Sequence, residues 1–555
     1  MSEQRNKKDN FVLQAGILAA AGIISRIIGL LYRSPLTAVI GTQGLGYYQV
    51  AYSFYTIVLL ISSYSIPSAI SKVIAQKLAV REYRNAHRIF LCALGYVLVV
   101  GGIASMVLFF GAGLFLENKA AIPVLRTFAP TIFIYGILGV LRGYFQAHRS
   151  MAQTSVSQVL EQIANAAVSI GAASLLIQNV MGTMEVPEDE ALRVTRATYG
   201  AIGSALGTGA GVLIALLFML GIYALNRKLI HRRIEHDKHK DEDSYGQIIK
   251  TITLIVTPFI LSTAVYNLSS VVNSKVYVDV IPGMMDLHSD KAYNDYGIFS
   301  GLAQTISNIP IAFASAMASA MIPSVASFVA AGKKNEAREK IGVAVKSTMV
   351  ISIPSAVGLL VLAKPLTGLL FPSQSDETLT YAGYLLMALS LSVVFYALST
   401  LNSSILQGLG RVNTPIVNAA IALALQTVTV FGLLRYTSLD LYSLAIANTL
   451  YSGMMCVLNQ WSVSRAIGYR QEFAKSFGVP LLASALMGAA ARAIYELVYL
   501  LTESMRIAVL PALVVAVVVY FVMMLLFEGL TEEELLGFPK GYLMVRIAKK
   551  CKLMN

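Results

Sequence analysis

The sequence predicts an all-α polytopic membrane protein of about 14 transmembrane helices, arranged as two six-helix lobes in parallel pseudo-repeat followed by two C-terminal helices. Three observations predict it. The 555 residues are 56% hydrophobic and only 13% charged, with a mean hydropathy of +0.66, whereas soluble domains carry roughly a quarter charged residues. Apolar runs of about 20 residues, enough to cross some 30 Å of hydrocarbon, recur along the whole chain. Short motifs also recur at a nearly constant distance. Together these exclude a soluble globular protein.

In chain order the predicted spans are 11–33, 46–68, 89–114, 121–143, 155–178, 197–225, 247–275, 297–325, 344–370, 380–406, 413–434, 441–464, 475–499 and 506–529. Each is an apolar run bounded by charged or turn-forming residues. The first follows MSEQRNKKDN and resembles the hydrophobic part of a signal sequence, but no small-residue cleavage site closes it, so a retained helix is expected. Pro310, Pro323, Pro354 and Pro365 interrupt the eighth and ninth spans. The glycine-rich GTGAG at 207–211 reads as a helix-packing surface.

Formal net charge is +13, from 43 Lys and Arg against 30 Asp and Glu. With the N-terminus inside, about 31 of the 43 basic residues fall in cytoplasmic segments. They cluster in Lys72 to Arg88, in the basic loop NRKLIHRRIEHDKHKDED from Asn226, in Lys333 to Lys346, and in the tail from Lys540. The outer loops MEVPEDE (184–190) and PSQSDET (372–378) are acidic. Both termini are therefore expected in the cytoplasm, and the excess charge encodes topology rather than nucleic-acid binding.

Ile66-Pro67-Ser68-Ala69-Ile70-Ser71 recurs as Ile322-Pro323-Ser324-Val325-Ala326-Ser327, and the stretch from Phe145 to Thr154 as Leu406 to Thr414. The offsets, 256 and 261 residues, suit one duplication of a six-helix unit. The expected regions are 1–240 (helices 1–6 and the basic loop), 241–470 (helices 7–12), and 471–555 (helices 13–14 and the basic tail).

Functional chemistry in a membrane protein is sought among polar residues inside the spans, because an ionised side chain at mid-bilayer costs about 2.5–3.5 kcal/mol on insertion scales. Arg26 and Arg33, seven residues apart on the first span, form a candidate cationic wall for an anionic substrate. The fifth span carries Gln158, Glu161, Gln162 and Asn165 on one face, suited to a wet cavity or to bonds with neighbouring helices. The seventh repeats the pattern with Ser262, Tyr266, Ser269 and Asn273, then Lys275. Arg492 and Glu496 read as a structural pair.

No catalytic constellation is recognised, and no enzyme, cofactor or metal site is expected. His231, His236 and His239 fall in the basic loop, where solvation explains them. Asp279, Asp286, Asp290 and Asp295 lie in a short outer connector around 276–296. Cys92, Cys456 and Cys551 have no paired spacing and read as packing residues.

The stretch LRGYFQAHRSMAQTSVSQVLEQIANA from Leu141, with SRIIGLLYR from Ser25 and IPSAIS from Ile66, resembles the polysaccharide-export branch of the multidrug/oligosaccharidyl-lipid/polysaccharide (MOP) exporter superfamily. Within it, the closest resemblance is to the stage V sporulation protein B group, relatives of the lipid II flippases. The resemblance covers essentially the whole chain. It implies a flippase that moves an undecaprenyl-pyrophosphate-linked glycan, a peptidoglycan or cell-surface polysaccharide precursor, to the outer leaflet of a bacterial plasma membrane, with cell-wall synthesis proteins as candidate partners. The family's SR-x-x-G arginine falls on Arg26 and its next cationic position on or beside Arg33. Where lipid II flippases carry further cavity arginines, this chain reads ISSYS at 61–65 and LAQTIS at 302–307. A coupling cation or the membrane potential is expected to drive transport. The alternatives are a cation-coupled multidrug exporter, a membrane glycosyltransferase or ligase acting on lipid-linked glycans, and a non-transporting scaffold for cell-wall or spore-coat synthesis.

Overall fold

The computed structural model describes residues 21–64, 66–148, 150–187, 189–237, 243–280, 282–283, 289–532 and 541–550; the side chains of 255–266 and of a few other helical positions lie outside the description. The described chain is helical throughout. In order the helices are α1 (Ala21–Leu31), α2 (Arg33–Leu59), α3 (Ile66–Ala79), α4 (Tyr83–Phe110), α5 (Ala112–Phe115), α6 (Ala121–Ala147), α7 (Met151–Met181), α8 (Glu190–Glu235), α9 (Tyr245–Lys275), α10 (Ser289–Tyr296) and α11 (Gln304–Ala330). They continue as α12 (Lys334–Val361), α13 (Ala363–Leu370), α14 (Asp376–Gly408), α15 (Asn413–Tyr436), α16 (Leu441–Ile467), α17 (Val479–Thr502), α18 (Met505–Leu526) and α19 (Gly541–Lys550). Among the described residues, eleven helices are long and apolar enough to cross a membrane. The first expected span falls partly outside the described residues.

Two compact units divide the chain, Met1–Gly297 and Ile298–Asn555. The sequence reading drew its first boundary at 240/241 instead. In the structure α9 packs on α2, α3 and α4, within the first unit, and α17 and α18 pack on α12 and α13 within the second. Each unit has its own apolar core. The first is built around Ile70, Ile89, Val97, Leu138 and Met219, and the second around Val325, Ile341, Met349, Leu401 and Val463. Outward faces are apolar too: Leu98, Val99, Ile103, Met106 and Phe110 of α4 are exposed, as a lipid-facing helix requires.

The structure corrects four local readings. The first helical segment does not end at Arg33. Only Tyr32 interrupts it, with its N–H still bonded to Ile28 O at 3.1 Å, and the helix runs on to a kink at Gly41 (φ 71°). Glycine alone adopts that backbone without strain. The kink frees the Val39 carbonyl, which accepts a 2.8 Å bond from the buried Arg196 guanidinium of α8.

The basic segment from Asn226 is not a loop as far as Glu235. It continues α8, a 46-residue helix whose start is capped by Asp189, bonded to the Leu192 N–H at 3.0 Å, and whose last turn carries Arg232 and Arg233. Between Ile222 and Glu235 nothing breaks the helix, because Leu, Lys and Arg are strong helix formers and both ends suit the helix dipole. At 1.5 Å per residue it is about 69 Å long, well beyond the hydrocarbon thickness.

Third, the acidic connector before residue 297 is a packed cap. Tyr277, Tyr293 and Tyr296 are fully buried, and Asp290 accepts bonds from Tyr47 at 2.6 Å and Asn118 at 3.0 Å. Asp286 lies outside the described residues. Fourth, Pro354 sits inside α12 without ending it; the break comes at Leu362, and Pro365 falls in the first turn of α13, where its missing N–H costs nothing.

Among the described residues, helices α7 and α8 make the most extensive helix contact. Gly203, Gly207 and Gly211, four residues apart on α8, lie against the Ala173, Ser169 and Glu161 backbone of α7, where any Cβ would collide. Small residues at this spacing let two helices meet backbone to backbone. Gly207→Leu is expected to lower stability by about 1–3 kcal/mol, while Gly171→Ala, with open space around it, changes it by less than about 0.5 kcal/mol. Denaturant titration of the detergent-purified protein, followed by tyrosine fluorescence, reads both.

Candidate functional site

The charged centre of the first unit is an ion pair that links α6 to α7. Arg142 Nη2 lies 2.8 Å from Glu161 Oε2, and its Nε donates to Ser157 Oγ at 2.9 Å. The Arg142 side chain is 6% exposed and that of Glu161 16%. Neither charge would be tolerable alone at that depth; together, with a hydroxyl meeting a second guanidinium donor, they are.

Around this pair the predicted polar face of α7 divides. Asn165 is buried; its Oδ1 accepts from Ser169 Oγ at 2.9 Å and its Nδ2 donates to Tyr32 Oη at 3.5 Å. Gln162 faces Gly29 of α1. Gln158, Glu161 and Gln162 are half-buried. The face therefore points at α1 and α6 rather than at lipid.

Arg26 lies exposed on α1, and half-buried Arg33 opens α2. Arg33 is within electrostatic reach of Tyr48 and Tyr52, and Glu161 of Tyr52 and Tyr55. These tyrosines form a ladder on α2: the Tyr48 and Tyr52 rings stack with centroids 5.7 Å apart, Tyr55 stacks on Phe128 at 4.8 Å, and Tyr48 Oη bonds Thr208 at 3.2 Å. The site thus gathers guanidinium, phenol, carboxamide and carboxylate groups from α2, α6 and α7.

Sequence reasoning missed Arg142 and the ladder. Arg142 stands at the end of the fourth expected span, 19 residues before Glu161 and across one short turn, and nothing in the sequence pattern singles it out. The ladder was legible as tyrosines at i, i+4 and i+7 in YYQVAYSFY. At ISSYS, where a further arginine was looked for, a π-helical turn (Leu60–Tyr64) buries Ser62 and Ser63, and Ser62 bonds to the Leu59 carbonyl.

On α9, Asn273 and Ser269 are buried, and the side chains of Ser262 and Tyr266 lie outside the described residues. Lys275 donates to Asp279 at 2.8 Å and to the Phe115 carbonyl at 3.1 Å. Burial pushes the Asp279 carboxyl above the usual range and the Lys275 bond opposes it. Arg492 and Glu496 form the expected pair. His231 and His236 are exposed near the end of α8, while His239 lies outside the described residues. Cys92 and Cys456 are buried and free.

The second unit holds an apolar cavity of about 530 Å³ among α11, α12, α17 and α18, lined by Pro310, Val350, Pro354, Met487, Val517 and Tyr520.

A polytopic helical protein with ionised groups sheltered inside a lobe is a membrane transporter in form. The chain belongs to the lipid II flippase MurJ family, whose model matches residues 83–527. It is 24% identical over 496 residues to "Lipid II flippase MurJ" of Bacillus subtilis, covering 86% of this chain and 87% of the relative. It is 23% identical over 554 residues to "Stage V sporulation protein B" of the same organism, covering 97% and 100%. A solved lipid II flippase MurJ in an inward closed conformation shares the fold, with a TM-score of 0.66 at 17% identity over 92% of this chain and 98% of that one. An inward-facing multidrug resistance transporter of the MATE family and MOP superfamily also shares it, at 0.62 and 16% over 80% and 95%.

Arg142→Met should destabilise the protein by about 3–5 kcal/mol by leaving Glu161 buried without its partner. Adding Glu161→Gln should recover most of that loss, and a double-mutant cycle by denaturant unfolding measures the coupling.

Proposed function

We propose that the protein is a flippase that carries a polyprenyl-pyrophosphate-linked glycan across a bacterial plasma membrane by alternating access. The observation that supports this most is the polar cluster of Arg33, the tyrosine ladder and the Arg142–Glu161 pair, with Arg26 exposed on the preceding helix, in a chain of the lipid II flippase family. The physical task is to move a charged sugar headgroup through an apolar slab while its tail stays in lipid. Arg26 and Arg33 bind the pyrophosphate, because guanidinium groups meet phosphate oxygens in paired, charge-assisted bonds. Gln158, Gln162, Asn165 and Asn273 hydrogen-bond the sugars. Lys275, its charge already answered by Asp279, adds donors rather than net charge. Glu161 is occupied by Arg142 and does not repel the substrate.

An apolar cavity of about 530 Å³ suits a segment of prenyl chain. Alternating access exposes the bound headgroup to either side in turn. One charge moving through 100 mV exchanges about 2.3 kcal/mol, so either the membrane potential or a cotransported cation supplies the work. No covalent step is needed, and the protein acts as a transporter rather than an enzyme. Both termini face the cytoplasm, as the distribution of basic residues requires, and cell-wall synthesis proteins are the natural partners.

The MATE-like fold favours one second reading, a multidrug exporter for organic cations. Liposomes containing the purified protein, loaded with fluorescent lipid II, a teichoic-type precursor or a cationic dye, separate the two. Arg26→Ala is expected to cut glycan-lipid flipping by about 10- to 100-fold, the loss of one charge-assisted contact, while membrane insertion stays intact. Full flipping by this variant refutes the assigned role, and transport of the dye alone replaces the flippase with the exporter.

A further inference from the structure

The end of the first unit holds a second polar site that the flipping cluster does not use. A cavity of about 510 Å³ lies among α3, α4, α6, α7 and the far end of α8. Both duplicated motifs meet in its walls: Ser68 and Ser71 come from the first, Gln146 and His148 from the second. Lys72 and Arg233 add two cations, and among the described residues no acidic side chain lines it. Arg233 reaches the cavity because α8 continues as a helix through the basic segment.

Packing alone does not account for these cations. In the second unit the paired motifs touch at Gly408, which lies against the Ile322 carbonyl and Val325; in the first, Gly143, one residue pair ahead of the second motif, lies against the Pro67 backbone. Yet the register of the repeat puts Phe328 where the first copy has Lys72, and Leu409 where it has His148. The second copy keeps the helix contact with apolar residues. The first has placed charge there, and among the described residues no ion pair occupies either Lys72 or Arg233.

We propose that this cavity binds a phosphate-bearing anion. Two cations, three or more hydroxyl and amide groups and no carboxylate suit the three exposed oxygens of a phosphate ester. The volume exceeds what a bare phosphate fills, and Ala75, Leu78 and Met151 offer an apolar wall for the rest of the molecule. Two sources share this chemistry: the headgroup of an anionic phospholipid, and a free phosphate compound. Basic pockets between membrane helices at a membrane face suit the former. The site shares no lining residue with the Arg33, Arg142 and Glu161 cluster, so the proposal does not depend on which glycan is carried; the proposed orientation decides only which leaflet supplies a lipid.

The test uses the full chain in neutral detergent, titrated with inorganic phosphate and, separately, with phosphatidylglycerol against phosphatidylcholine in mixed micelles, read by calorimetry. At least one anion should bind the unaltered protein. The double variant Lys72→Gln/Arg233→Gln should weaken it about 30-fold, at roughly one kcal/mol per cation. Ser71→Leu, which fills the cavity and keeps both charges, should weaken it as well. Lys334→Gln/Lys340→Gln, which removes two exposed charges elsewhere, should leave it unchanged. Selective binding of phosphatidylglycerol identifies the lipid source, and binding of inorganic phosphate the soluble one. Failure of both anions to bind, binding that survives the cavity variants, or equal loss in the control overturns the proposal. Size-exclusion profiles establish that each variant is folded. Flipping by Arg26→Ala is a separate readout, so the two proposals fail independently.

Discussion

The first unit depends on the rule that a charge carried into hydrocarbon must be answered by the protein itself. Arg142 and Glu161 meet that rule by pairing across α6 and α7, two helices joined by a short turn. Their pairing fixes the rotation of α7, because Glu161 must face α6. The neighbouring polar residues, one turn on, are then brought against α1, and the apolar faces are left for lipid and for α8. A helix with four polar residues in two turns would otherwise have no stable orientation in a bilayer.

Most of the fold was legible. Span length and hydropathy located most helices to within a few residues, as with 121–143 against Ala121–Ala147 and 413–434 against Asn413–Tyr436, but missed the bounds of others, as with 344–370 against Lys334–Val361. Failures came where the sequence rule describes solvent rather than shape. The charged segment after Asn226 reads as loop because it is polar, but polarity says only that it leaves the membrane; its residues are helix formers and it stays helical. The connector before residue 297 reads only as a short outer link carrying four aspartates, yet its tyrosines are buried and Asp290 bonds to Tyr47.

The polar cluster was half visible. The face of α7 follows from residue spacing alone, whereas the partner of Glu161 does not, since pairing requires knowing how two helices are turned toward each other. Arg196 shows the same limit: its role depends on a kink at Gly41 that only the backbone reveals. Lys275 was read by its charge and met a counter-charge one turn along the chain.

The contact between α7 and α8 has a mechanical consequence. Helices seated backbone to backbone along three successive glycines cannot slide past each other without breaking every one of those seats, so the pair turns only as a single rigid strut. Flexure has to be sought where the helical ladder is already interrupted, at Gly41 and at the π-helical turn from Leu60 to Tyr64. Both joints belong to the stretch that carries Arg33 and the tyrosine ladder, which makes the cation-bearing element the hinged one and the glycine-stitched element its fulcrum.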